Sequence, residues 1–274
     1  MQNIVFIGGG NMTTSLVSGL RNAGWPGDAI TVVDHNADKR EHLAEQYRVN
    51  TAAQAQASHL AAADAVVLAV KPQGMANTAR ALTPLLGTAR PLILSIAAGI
   101  PLSALRQWLG ADFAYVRCMP NTPSLLGVGA TGLYADATVT DEQRQLADDM
   151  MATAGVNAWV DDESLIDAVI ATSGSGPAYF FAFMEAMIAG ATELGLDETA
   201  ARELVLQTAL GAARMATESG DDPATLRTKV TSKGGTTAAA LNHLEAGDLD
   251  QLVAGAMRAA SDRAAELARD LSDG

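Results

Sequence analysis

Strand-like and helix-like stretches alternate through the first 160 residues, and this alternation limits the fold more than any other feature of the chain. Asn3–Ile7 is a short apolar run that ends in Gly8-Gly9-Gly10. Asn11–Ala23 then carries Met12, Leu16, Leu20 and Ala23 at helical spacing. Ile30–Asp34 reads as a second strand, followed by a charged helix through Tyr47. Asp64–Val70 is continuously apolar, as in a parallel strand covered on both faces. Lys71-Pro72 stops it, and a helix follows to about Leu86. Pro91–Ile96 and Ala114–Met119 are further strands. Gly129–Tyr134 and Val156–Val160 read as two late strands flanking a helix, which begins at Thr140 with Gln143 three residues on, a capping box. Strands separated by helices pair in parallel, so the expected class is α/β with a doubly wound, mostly parallel sheet.

Beyond Val160 the pattern changes. Asp161-Asp162-Glu163 is an acidic break, and the rest reads as helix: Glu163–Thr172, Pro177–Leu194, Glu198–Thr217, Pro223–Val230, Thr237–Glu245 and Asp248–Leu271. Two domains are expected, 1–160 and 161–274. Charge divides the same way. Residues 1–160 hold 12 acidic and 10 basic side chains, and residues 161–274 hold 19 and 8, within a total of −13. So acidic a chain is not built for nucleic acid. Cys118 is the only cysteine and the four histidines lack ligand spacing, so neither a disulfide framework nor a metal site is expected. The N-terminus enters a strand directly, without the pattern of a signal peptide. A membrane helix needs about 20 apolar residues. Pro177–Ala191 is shorter and carries Glu185, so it is expected to be a buried helix of a soluble, cytoplasmic protein with no membrane partner.

Gly8-Gly9-Gly10-Asn11-Met12-Thr13 sits between the first strand and the first helix. Glycine permits the tight turn there, and at Gly10 it lets backbone approach a pyrophosphate at the positive end of the helix. Thr13 stands where the dinucleotide fingerprint has Gly or Ala. Asp34, at the end of the second strand, is placed to bind ribose hydroxyls and so to favour NAD. His35, Asn36, Lys39 and Arg40 follow and could meet a 2′-phosphate instead, and Lys39 and Arg40 read equally as solvated helix residues. Residue chemistry leaves that choice open. Lys71-Pro72 and Ser95–Gly99 each follow a strand at its carboxyl end, where ligands of open α/β sheets bind, although both could be simple turns.

Three later segments are candidates. Ser173-Gly174-Ser175-Gly176-Pro177 supplies a cap and a first-turn proline, and its two glycines exceed what capping needs. Ser232-Lys233-Gly234-Gly235-Thr236-Thr237 opens a helix with successive N–H groups and hydroxyls, either a carboxylate cradle or a plain cap. Met119–Pro123 fixes Asn121 and Thr122 between two prolines, suited to orienting an amide or ring nitrogen, or to a structural turn.

Taken together these segments resemble pyrroline-5-carboxylate reductase. The likeness runs through Phe6–Met12, Ala69–Pro72, Ser95–Gly99, Met119–Pro123, Ser173–Tyr179 and Val230–Thr237, in that order. It implies a Rossmann domain followed by an all-helical dimerisation domain, in a homodimer that often assembles further to decamers. It implies reduction of Δ1-pyrroline-5-carboxylate to L-proline by NAD(P)H, with NADP(H) the more frequent cofactor and NAD(H) the other. The same resemblance implies that the Gly10–Met12 loop binds pyrophosphate and that Ala69, Lys71, Ala97 and Ala98 line the cofactor; Gly8 in the glycine turn, Asp34 and Asn36 at the end of the second strand, and Val70 and Pro72 beside Lys71 are the further cofactor-binding candidates. Val230, Ser232, Gly235 and Thr236 would hold the substrate carboxylate, and Ser175 and Asn121 are the further substrate-binding candidates. Thr237 would bond the ring nitrogen as the catalytic residue. Lys233 departs from the family's usual proline, and Asp34 from its usual small or polar residue. The rival readings are a hydroxyacid dehydrogenase or another imine reductase of this architecture, and a non-catalytic dinucleotide sensor.

Overall fold

The computed structural model describes residues 2–272, with side chains through Asp270. Its strands are β1 (Ile4–Ile7), β2 (Ile30–Val33), β3 (Asn50–Ala52), β4 (Ala65–Leu68), β5 (Leu92–Ser95), β6 (Tyr115–Met119), β7 (Gly129–Ala135) and β8 (Gly155–Trp159). Between them run α1 (Asn11–Asn22), α2 (Ala37–Tyr47), α3 (Ala57–Ala61), α4 (Pro72–Leu86), α5 (Leu102–Leu109) and α6 (Asp141–Ala152). After β8 come α7 (Leu165–Val169), α8 (Gly176–Glu193), α9 (Glu198–Glu218), α10 (Pro223–Lys229), α11 (Thr236–Ala246) and α12 (Leu249–Ser272).

The eight strands form one sheet in the order β3-β2-β1-β4-β5-β6-β7-β8. Every pairing is parallel except β6 with β7. Alternation along each strand sends its residues to opposite faces. Ile4, Phe6, Val67, Leu92 and Leu94 pack with Leu16 and Leu20 of α1 and Met150 of α6. Val5, Ile7, Val66, Leu68 and Ile93 pack on the other side with Met75 and Leu82 of α4 and Leu105 of α5. Both faces are covered over β1, β4 and β5, which is why those strands read as apolar runs, whereas Val156 of β8 is exposed. Full burial of such a side chain stabilises the fold by about 1.5–3 kcal/mol.

The register places the carboxyl ends of four strands level. Ile7 pairs with Val33 on one side and Leu68 on the other, and Leu68 pairs with Ser95. The chain moves outward from β1 to β3, then returns to β4 beside β1. Ligands of doubly wound sheets bind outside such a reversal.

Expected caps are present: Thr140 and Gln143 form the capping box of α6, Asp197 caps α9, and Asp222 precedes Pro223 at the start of α10. The short β3, α3 and α5 have no counterpart in the sequence pattern. Asn50-Thr51-Ala52 is too short and polar to announce itself as a strand.

The chain forms two compact units. One runs to Ser175 and takes up the chain again from Ala259; the other is Gly176–Arg258. In the second unit α8 packs beside α9. The expectation that the apolar helix after Pro177 is buried is corrected here. Only Gly176 of α8 is buried, and Phe180, Phe181 and Phe183 are 68 %, 57 % and 49 % exposed. Leu204, Leu210 and Met215 of α9 are exposed too. The unit lacks a further layer of its own to cover these faces. Among the described residues no helix is long and apolar enough to cross a membrane, and no His, Cys, Asp or Glu group is placed to hold a metal ion.

Candidate active site

The turn after β1 is tied down on three sides. Gly8 donates its N–H to Val33 O at 2.8 Å, and Ala69 donates to Ile7 O at 2.9 Å. Gly8 has φ +111°, and a Cβ there would lie 2.7 Å from Ala69 O, so backbone fills the space of a side chain. Thr13, in the imperfect position of the fingerprint, is fully buried and donates from Oγ1 to Gly8 O at 2.6 Å. Gly10 is the N-cap of α1, without a side-chain cap, and a Cβ there would meet open space. The turn therefore holds its shape without a ligand while the first N–H groups of α1 remain available to an anion. Asn11 is exposed and Met12 half-buried. Gly9, Asn11, Thr14, Asp38, Lys39, His42 and Leu125 line a hollow of about 320 Å³ beside the turn.

Asp34 is turned into this structure. Its side chain is 6 % exposed. Oδ2 accepts the Gly9 N–H at 2.7 Å and Oδ1 accepts the Asn36 N–H at 2.8 Å. Burial by itself would raise its pKa; the N–H groups of Asn36 and Gly9, with Lys39 and His35, hold the carboxyl below its ordinary value. Asn36 caps α2, accepting the Lys39 N–H at 3.0 Å. Arg40 donates from Nη1 to the carbonyls of Asp34 and His35, so its guanidinium braces the loop. Lys39 Nζ lies 3.7 Å from Asp34 Oδ2 and is half exposed.

The next two strand ends supply smaller surfaces. Ala69 and Val70 are half-buried, Lys71 is the exposed N-cap of α4, and Pro72 is its first residue. After β5, the Ala97 N–H reaches Ser95 Oγ at 3.4 Å, Ala97 is buried and Ala98 is exposed. By the strand register, these residues stand on the same edge of the sheet as Gly8–Met12, Asp34 and Asn36.

Asn121 is buried and acts as a brace. Its Nδ2 donates to Ser173 O at 3.0 Å, and its Oδ1 accepts the Ala130 N–H at 2.9 Å. Ser173 is not the expected helix cap. Ile170–Gly174 is a π-helical turn that leads into α8, and Ser173 Oγ donates to Val169 O at 3.1 Å. Ser175 N–H closes the turn on Ile170 O at 2.7 Å. One extra residue per turn cannot be read from apolar spacing, and such turns often mark functional sites.

In the second unit the Val230–Thr237 segment is a single connected turn. Val230 ends α10 and is exposed. Gly235 donates to Ser232 O at 3.0 Å and is the N-cap of α11, again without a side-chain cap. Ser232 Oγ lies over Gly235 where a Cβ would be. Thr236 and Thr237 are the first two residues of α11, exposed and half-buried respectively. Lys229 pairs with Asp221 at 2.5 Å, and Lys233 is exposed on the turn. Thr231 Oγ1 is spent on Arg227 O, and the segment presents backbone N–H groups, the hydroxyls of Ser232, Thr236 and Thr237 and one ammonium, a donor set for a carboxylate. The bracing roles of Gly9 and Thr13 were not foreseen; a hydroxyl in place of the third fingerprint glycine was the one signal.

Residues 163–267 match the family model described as pyrroline-5-carboxylate reductase dimerisation, and residues 3–99 match that described as NADP oxidoreductase, coenzyme F420-dependent. The pyrroline-5-carboxylate reductase of Pseudomonas aeruginosa is 49 % identical over 98 % of this chain and 97 % of its own. The chain belongs to the pyrroline-5-carboxylate reductase family. The solved structure of a pyrroline-5-carboxylate reductase from Coxiella burnetii has a TM-score of 0.93 at 43 % identity, covering 97 % of this chain and 98 % of that one. That of the Plasmodium falciparum pyrroline carboxylate reductase, with NADP bound, scores 0.83 at 26 % identity, covering 97 % and 98 %. As a pyrroline-5-carboxylate reductase the protein is an NAD(P)H-dependent oxidoreductase, with a Rossmann-type domain followed by a helical dimerisation domain. It acts on a small molecule and forms a homo-oligomer.

Proposed function

We propose that this protein reduces Δ1-pyrroline-5-carboxylate to L-proline, the final step of proline synthesis. The observation that carries this reading is 49 % identity to a pyrroline-5-carboxylate reductase over nearly the whole of both chains. The two uncapped glycine turns, at Gly10 and Gly235, fit it: each offers backbone N–H groups to an anion.

Residues 1–160 serve the cofactor, and residues 161–274 serve the substrate and the dimer. A bound dinucleotide supplies the hydride. Gly8 and Gly10–Met12 hold its pyrophosphate. Asn36 stands at the ribose end, and Ala69–Pro72, Ala97 and Ala98 lie along the rest. NADP(H) is the preferred cofactor, supported by Lys39 and His35 beside the inward-turned Asp34. In the second unit Val230, Ser232, Gly235 and Thr236 hold the carboxylate through N–H groups and the Ser232 hydroxyl. Thr237 hydrogen-bonds the ring nitrogen, and Asn121 and Ser175 shape the turn before α8.

A cyclic imine can carry its own proton from solution, so the chemistry needs position more than a strong acid. Hydride adds to the imine carbon, the C=N π bond breaks, and its electrons remain on the nitrogen as an amine. Carbonyl reduction would call for a general acid, often Lys. Lys233, the one lysine inside a glycine-rich motif, is exposed. The apolar face of α8 is covered by a second copy, giving a dimer that can build to a decamer. The test is a substrate panel: proline and a set of 2- and 3-hydroxy acids, each offered with NAD⁺ or NADP⁺. Proline alone should support reduction of the dinucleotide; turnover of a hydroxy acid in its place would contradict the reading.

A further inference from the structure

We propose that Asp34 is a positioning residue, which holds the glycine turn in its binding shape through the Gly9 N–H and does not choose between NADH and NADPH. The proposal rests on the reading above that this turn takes the cofactor's pyrophosphate. An acidic residue at the end of the second strand of such a sheet is expected to face the ribose, accept its hydroxyls and repel a 2′-phosphate. Here the geometry is different. The carboxylate is 6 % exposed, and each oxygen already accepts a backbone N–H, Oδ2 from Gly9 at 2.7 Å and Oδ1 from Asn36 at 2.8 Å. Charge-assisted bonds of this length are strong, and breaking one leaves a buried N–H without a partner. Lys39 Nζ, at 3.7 Å, offsets the negative charge where a phosphate would otherwise meet it. Arg40, on the backbone carbonyls of Asp34 and His35, holds the same corner from the other side.

The bond to Gly9 crosses from β2 to the turn after β1 and is the one side-chain tie to the middle of the glycine triplet among the described residues. Gly8 is held from below by Val33 O and Thr13 Oγ1, whereas Gly10 opens to solvent. Freed from Asp34, Gly9 could rotate its peptide, and the N–H groups aimed at the pyrophosphate would lose their common direction. That loss falls equally on both dinucleotides, because their pyrophosphates are the same.

Two variants test this in the full chain. Asp34→Asn keeps the shape of the side chain and removes its charge. Gly9→Ala keeps the carboxylate but sets a methyl 3.2 Å from Asp34 Cβ and 3.3 Å from Oδ2, tighter than packing tolerates without a shift. The Kd of NADH and of NADPH is measured for each protein by titration. The expected result is a rise of about fivefold or more for both cofactors in both variants, with the NADPH-to-NADH ratio moved less than twofold, and with the loss seen in the cofactor KM more than in kcat. A tenfold shift of the ratio towards NADPH in Asp34→Asn would overturn the proposal, because it would show Asp34 reading the ribose. So would a lower melting temperature with both Kd values unchanged, which is the mark of a merely structural bond. If Asp34→Asn does not fold, Gly9→Ala decides: unchanged Kd values overturn the proposal, and a matched rise supports it. An unaltered protein that binds neither dinucleotide overturns the underlying reading, and with it the proposal.

Discussion

Arg117, on β6, donates from Nη1 to Oε1 of Glu163 at 3.1 Å, and the arginine is almost wholly buried. The same carboxylate oxygen accepts the Leu102 N–H at 2.8 Å, so one acidic side chain joins a central strand to the start of α5. Asp167 faces the same arginine; burial raises its pKa, and Arg117 and Arg269 pull it back. Removal of Glu163 leaves a buried cation short of its partner. Glu163→Ala is expected to cost about 3 kcal/mol in a urea melt, near the lower end for a broken buried pair because Glu163 is partly exposed. A loss below about 0.5 kcal/mol, as for a surface pair, would contradict this.

The Asp34 carboxyl sits below its ordinary value of 3.8. A lowered carboxyl stabilises the folded state above the ordinary pKa and ceases to do so as pH falls through the lowered value. The melting temperature of Asp34→Asn should therefore fall below that of the unaltered protein at neutral pH. The gap should close as the pH is taken down past 3.8. Thermal melts across that range check it, and a gap of constant size would count against the two backbone bonds.

Thr237 is placed at the second residue of α11, after the Gly235 turn and in the unit that does not carry the glycine triplet. Thr237→Ala should lower kcat on the imine by about 10-fold or more, the scale of a lost transition-state hydrogen bond, while cofactor affinity stays close to that of the parent. Equal loss of dinucleotide binding would remove Thr237 from its assigned role.

Phe181 of α8 is 57 % exposed on an apolar face of the second unit. Exposed patches of this kind mark association surfaces. Phe181→Glu should shift the protein to a smaller species in light scattering, since a buried unpaired charge is costly at an interface. An unchanged mass would show that this face is not where copies meet.

Much of the fold was legible because both faces of the sheet are covered. Runs such as Ala65–Leu68 carry no polar interruption, and the helices between them carry caps such as Thr140 and Asp222. The long helices of the second unit were legible from their length and from caps such as Asp197. Their exposure was not, because apolar content alone does not say whether the same chain covers a face. The glycine turns were visible at Gly8–Gly10 and Gly234-Gly235. The direction of the Asp34 carboxylate was hidden, since the same sequence serves a residue facing the ribose or one facing Gly9. The π-helical turn at Ile170–Gly174 was hidden as well: its Ser-Gly-Ser-Gly pattern imitates a cap, and the deciding bond, Ser175 N–H to Ile170 O, is a matter of register.

Hydride transfer to a cyclic imine can be followed atom by atom. Its most direct measurement uses Δ1-pyrroline-5-carboxylate and NADPH carrying deuterium at the transferring position, with the product read by mass spectrometry and NMR. The expected product is L-proline with one deuterium at its ring carbon C5, with one NADP⁺ formed for each proline. NADPH left unconsumed, or proline formed without the label, would contradict it.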